Sequence, residues 1–277
     1  MSMPETLTTG GARLAEAFRR AKAAGRGVLI PYICAGDPDA ATTALVLDGL
    51  GPAGADAIEL GIPYGDPLAD GPTIAAAAKR ALDAGTTVDD ALALARGAHE
   101  RGAPPILLFT YINPIVQYGL ERFAAALVAA GACGAIVPDV PLEETGEIRA
   151  AFAPLGLALP LLVAPTTPPA RAAAIARSSE GFVYVVSRLG VTSAGREPDF
   201  SAIAARVAAL RPLGGAPIAV GFGISSAGHV RQACELADGA IVGSALVDAY
   251  AGTRGVEAAE RAQAFLRGLA AGTRSSS

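Results

Sequence analysis

The chain has 277 residues, 52% hydrophobic and 17% charged, with a formal net charge of −4 and a pI of about 5.3; it has ample apolar material for a core and not the composition of a disordered segment. No basic run exceeds two residues and no apolar stretch approaches the roughly 20 residues of a membrane span, which argues against nucleic acid or a membrane as partner. The polar N-terminus and three cysteines without CxxC spacing (Cys34, Cys133, Cys234) lead us to expect a cytoplasmic protein with free thiols.

Taken in order, positions 14–24 predict an opening Ala/Arg-rich helix ended by Gly25. A short apolar run at 27–33 then predicts a strand, and Asp37-Pro38 predicts the N-cap and first residue of a helix running to Leu50. The unit recurs. Further strands are expected at 57–60, 105–111, 135–137, 158–163, 182–187, 217–221 and 240–242, eight in all. Ala-rich helical patterns fall at 73–84, 88–100, 120–130, 143–153, 168–178, 200–210, 227–236 and 256–269. The strand runs are continuous rather than alternating, as in parallel strands buried on both faces. Eight β-α units in this length favour a closed (β/α)8 barrel over a doubly wound open sheet. We expect a single barrel domain over 1–277 with an extra N-terminal helix and frayed ends at about 1–10 and 271–277.

Chemistry in such a barrel belongs to the C-terminal ends of the strands and the loops that follow them. The rare residues narrow it. The two lysines (Lys22, Lys79) and two histidines (His99, His229) all lie on helical stretches, with no HxH or HExxH spacing. A Schiff base, a metal centre and a Ser-His-Asp triad are therefore not expected, and acid–base work falls to carboxylates. Glu59 ends an apolar run where a strand should end, and an acid there has few structural duties. Desolvation would disfavour its charged form, which suits a group that gives and takes a proton. Asp66, in a Gly-Asp-Pro turn, is expected to bond local backbone. Asp70, just before a helix, has two open readings, N-cap or site residue.

Gly221-Phe222-Gly223 and Gly243-Ser244 each follow a strand and precede a helix on neighbouring units. Glycines let backbone approach a ligand, helix N-termini offer free N–H groups, and barrels often hold phosphate after strands seven and eight. This is not the dinucleotide fingerprint, because the third glycine comes at Gly228, too late for GxGxxG.

The run Glu59-Leu-Gly-Ile-Pro-Tyr-Gly-Asp-Pro-Leu-Ala-Asp-Gly-Pro72, with Pro31-Tyr32 and Gly36-Asp37-Pro38, resembles the tryptophan synthase alpha chain family. So do Tyr184-Val-Val-Ser-Arg-Leu-Gly-Val-Thr192 and Val220-Gly-Phe-Gly-Ile-Ser225. The resemblance runs in order from about Arg13 to Leu269. It implies a lyase that cleaves indole-3-glycerol phosphate to indole and glyceraldehyde 3-phosphate, in tryptophan biosynthesis. It implies no cofactor on this chain, and a β-chain partner in an α2β2 complex, with pyridoxal phosphate only on that partner. By the family motif, Glu59 would be the general acid–base and Asp70 the carboxylate that orients the indole N–H. Tyr184, Tyr32, Ile74, Phe109, Ile136, Thr192 and Phe222 would surround the substrate; Ser193, Gly223, Gly243 and Ser244 would hold its phosphate. Three positions depart from the usual pattern: Tyr64-Gly65 where many relatives carry Phe-Ser, Ser193 where glycine is usual, and Phe109 where a smaller aliphatic is common.

The reaction itself fits these residue types. Retro-aldol cleavage needs a proton on the indole ring carbon and a base for the side-chain hydroxyl. The ring nitrogen then gains positive charge, which a nearby anion stabilises. Two carboxylates suffice. A fixed Glu59 and a loop-borne Asp70 would divide the work, with Pro63 to Pro67 as lid and, as the resemblance implies, part of the surface facing the β chain. Two alternatives stay open here, a free-standing lyase that releases indole and a non-catalytic phosphate-binding regulatory subunit.

Overall fold

The computed structural model describes residues 9–187, 198–213 and 215–274. Helix α1 (Gly10–Ala23) precedes the barrel. The first half then runs β1 (Val28–Cys34), α2 (Ala40–Leu50), β2 (Ile58–Gly61), α3 (Pro72–Asp83), α4 (Val88–Glu100), β3 (Ile106–Phe109), α5 (Ile112–Tyr118), α6 (Leu120–Ala129) and β4 (Gly134–Ile136). The second half runs α7 (Gly146–Phe152), β5 (Leu161–Val163), α8 (Pro169–Ser178), β6 (Val183–Val186), α9 (Phe200–Leu210), β7 (Ile218–Gly221), α10 (Ala227–Leu236), β8 (Gly239–Val242), α11 (Ser244–Tyr250) and α12 (Gly255–Ala270).

All strand pairs are parallel, in the order β4-β3-β2-β1-β8-β7-β6-β5, and a parallel bridge from Gly134 to Ala158 joins the two outer strands. The expected eight-stranded barrel is the observed one. The two-residue period of a strand sorts its side chains: Leu29 and Ile33 of β1 pack outward against the helices, while Val28, Ile30 and Tyr32 point into the barrel. The same alternation sends Ile58 and Leu60 outward and leaves Glu59 inside, two residues from inward Ala57. Phe109, Ile136 and Tyr184 share that interior.

Helix α1 seals the N-terminal end of the barrel. Thr9 caps it, accepting the Ala12 N–H at 3.3 Å, and Leu14, Ala17, Phe18 and Ala21 form its buried stripe. Phe18 meets Phe182 at 5.8 Å between ring centres. Only the opposite end is left for chemistry.

The structure corrects the sequence reading in places. Asp39, not Asp37, caps α2, accepting the Thr42 N–H at 2.7 Å. Asp37 is instead buried in a fork with Arg80, at 2.7 and 2.9 Å, tying the β1 loop to α3. The helices α5 and α11, seven residues each, were not among the expected helical segments; two turns are too few to print a 3.6-residue pattern. The expected helix at 143–153 is split, with a 3-10 turn at Leu142–Glu144 before α7. The tail holds structure past 271: Ala271–Thr273 is a 3-10 turn with Gly272 and Thr273 buried, and Arg274 bridges to Arg26.

Candidate active site

Glu59 sits on β2 in register with Tyr32 of β1 and Leu107 of β3. It is 1% exposed, and its Oε1 has no hydrogen-bond partner among the described residues. Burial pushes its carboxyl from an ordinary 4.5 to about 8, with no compensating charge or hydrogen bond among the described residues. At neutral pH it is mainly an acid holding its proton.

Asp70 ends the loop that leaves β2. The cap of α3 is Gly71 with no side-chain bond, so the helix does not consume the Asp70 carboxylate. Desolvation raises it to about 6, against a hydrogen bond from the Tyr111 hydroxyl that pulls it down. The two carboxyls are thus poised apart, one mostly neutral and one mostly ionised at pH 7, the arrangement that separates acid from anion in one pocket. Both act on Tyr184, whose phenol is held protonated first by burial and then by Glu59 and Asp70. That shared influence brings the three residues to one place.

The rest of the pocket assembles around them. Tyr32 meets Phe109 edge-on at 5.7 Å, and Tyr184 meets Phe222 at 5.8 Å. Ile136 pairs with Phe109 across β3 and β4. Glycines make room: a methyl on Gly61 would lie 2.1 Å from the Tyr32 hydroxyl, and one on Gly221 2.5 Å from the Tyr184 hydroxyl. Phe222 and Gly223 both adopt positive φ (72° and 77°), and the Ser187 hydroxyl donates to the Phe222 carbonyl. A methyl on Gly243 would lie 3.5 Å from Ile74 and 3.7 Å from Tyr32, and the Ser244 Oγ at the start of α11 is buried with no hydrogen-bond partner among the described residues. Thr192 and Ser193 lie outside the described residues.

Two features were not assigned from sequence. Tyr111, at the end of strand three, accepts the Ala69 N–H at 3.0 Å besides serving Asp70, so it fastens the loop. Tyr64 stacks on it at 5.3 Å and takes a 3.0 Å bond from the Asn113 amide, which a phenylalanine there could not accept. The signal for Tyr111 was a tyrosine just past a strand, and for Tyr64 its departure from the usual phenylalanine. Asp66, expected to bond backbone through its side chain, is exposed, and the local bond is from the Leu68 N–H to its carbonyl at 3.0 Å. Among the described residues no group of three His, Cys, Asp or Glu side chains is placed to hold a metal ion, and no helix is long and apolar enough to cross a membrane.

A family profile described as "Tryptophan synthase alpha chain" matches residues 18–274. A tryptophan synthase alpha chain from Picosynechococcus sp. is 51% identical over 84% of this chain and 89% of its own length. One from Synechocystis sp. is 49% identical over 92% and 97%. A crystal structure of tryptophan synthase from M. tuberculosis, in its aminoacrylate-bound form, superposes with a TM-score of 0.85 at 37% identity, covering 95% of this chain and 99% of that one. The alpha subunit structure from Legionella pneumophila gives 0.84 at 32% identity, over 94% and 98%. With the profile spanning nearly the whole barrel and relatives at half identity, this chain belongs to the tryptophan synthase alpha chain family.

Proposed function

We propose that this chain is the lyase subunit that cleaves indole-3-glycerol phosphate to indole and glyceraldehyde 3-phosphate. The observation that carries the proposal is a buried Glu59 without a partner for its Oε1 among the described residues, with Asp70 left free of the α3 cap and both acting on Tyr184; burial raises the two carboxyls to about 8 and about 6. Glu59, neutral, gives its proton to the indole ring carbon that bears the side chain. The ring becomes a cation with charge on nitrogen, and ionised Asp70 stabilises it through the N–H. Glu59, now a carboxylate in a desolvated site and a correspondingly strong base, takes the proton of the adjacent side-chain hydroxyl. The carbon–carbon bond breaks, its electrons return to the ring, and indole and the aldehyde leave with Glu59 protonated again.

Tyr184, Tyr32, Phe109, Ile136, Ile74 and Phe222 would enclose the indole, with Thr192 beside them. The left-handed backbone at Gly223 and the Ser244 hydroxyl, unsatisfied among the described residues, support a phosphate site there, with Gly243 and Ser193 as further contributors. The reaction so written uses only side chains of this chain and calls for no cofactor. A β-chain partner carrying pyridoxal phosphate would consume the indole in an α2β2 assembly. Exposed Leu68 (74%) and Val116 (65%), on the Asp70 loop and on α5, support a partner surface at the pocket mouth.

The test is product stoichiometry. The purified chain should release indole and the triose phosphate one to one, and an added β chain should raise the rate. Release without acceleration would favour a free-standing lyase; phosphate binding without release would favour a regulatory subunit.

A further inference from the structure

At the barrel end opposite the carboxylates, a cleft of about 860 Å3 opens between the last turns of α1 and the starts of β6, β7 and β8. Its size falls within the range of small-molecule sites. Its floor is apolar, built from Phe18, Val183, Leu210 and Ile218, all buried or at the edge of the core. Its rim carries four cations, Arg19, Lys22, Arg26 and Arg211, against two acids, Glu235 and Asp238. What matters for an anion is which of these cations is left without a carboxylate.

The cations are not equally committed. Arg26 forks onto Asp56 at 2.6 and 2.7 Å, and Arg19 pairs with Glu16. Lys22 has no ion-pair partner among the described residues. Arg211 donates to the Leu236 carbonyl at 2.8 Å but reaches Asp238 only at 3.5 Å, while the other Asp238 oxygen accepts the Ile218 N–H at 2.8 Å. Lys22 and Arg211 therefore retain capacity for an anion, above a floor suited to a flat apolar body. The cleavage chemistry uses none of these groups.

We propose that this cleft is a second binding site, for a small organic anion with a flat apolar body and one carboxylate or phosphate head. The body lies over Phe18 and Ile218, and the head is taken by Lys22 and Arg211. The test follows backbone amide shifts of the full chain on titration with 2-naphthoate, with 2-naphthyl phosphate, and with neutral 2-naphthamide. The expected result is saturable shifts at Lys22, Gly25, Gly215 and Leu236, with a Kd below about 1 mM for at least one anion. The stronger anion identifies the head group, and shifts at Gly223 and Gly243 report binding at the catalytic end instead. Lys22→Glu with Arg211→Glu should weaken binding at least about tenfold while indole release persists, and the milder Lys22→Gln should weaken it severalfold. Absence of basal shifts, equal affinity for the neutral amide, or unchanged affinity in both variants would overturn the proposal.

Discussion

Replacing Glu59 with Gln should make the protein more stable and inactive at once. Glu59 is raised from 4.5 to about 8 by burial, so the folded state holds its proton at pH values where the unfolded chain has released it. A raised carboxyl supports folding fully below about pH 4.5 and loses that support as pH climbs through about 8. At about 1.36 kcal/mol per tenfold change in proton affinity, the penalty at pH 7 is about 3 kcal/mol relative to acid conditions. Gln keeps the shape of the protonated acid and cannot ionise. Urea unfolding at pH 5 and pH 7 should show a gap that narrows by about 2.5 kcal/mol in the variant, because part of the penalty is already present at pH 5, and Tm at pH 7 should rise by roughly 6–10 °C. Indole release should fall by at least about a hundredfold. A variant with the parental pH dependence of stability would refute the desolvation argument, and one with parental turnover would refute the proton-transfer role.

The two poised carboxyls predict a bell-shaped kcat/KM profile, falling below about pH 6 as Asp70 gains a proton and above about pH 8 as Glu59 loses one; a flat profile between pH 5 and 9 would contradict it. Tyr111→Phe removes the hydroxyl that lowers Asp70, so the acid limb should move to higher pH and kcat/KM should drop by about tenfold. Ser244→Ala deletes a buried hydroxyl without a partner among the described residues, so stability should stay within about 0.5 kcal/mol while KM rises roughly tenfold. Arg80→Ala leaves Asp37 buried without its fork, and chemical denaturation should show a loss of roughly 2–3 kcal/mol.

The barrel was legible because its strands are short apolar runs buried on both faces and punctuated by glycine, a pattern that needs no tertiary information. Glu59 was legible for the same reason, as an acid inside such a run. Asp70 was not, since a cap and a site residue look alike before a helix; the backbone removes only the first reading by placing Gly71 at the cap. The cap of α2 was misplaced by two residues because Asp37 and Asp39 both suit the position, and only the distant Arg80 claims Asp37. Tyr111 escaped notice because its partner, Ala69, is 42 residues away in sequence. Contacts of that kind are set by how β2 and β3 lie side by side, which no local pattern records.

The most direct test of the account is a single-turnover measurement of indole release from indole-3-glycerol phosphate by the unmodified chain, Glu59→Gln and Asp70→Asn, at pH 7. The unmodified chain should release indole in one exponential phase, and each variant should show a rate constant lower by at least about two orders of magnitude with substrate still bound. Equal rate constants for the unmodified chain and either variant would contradict it.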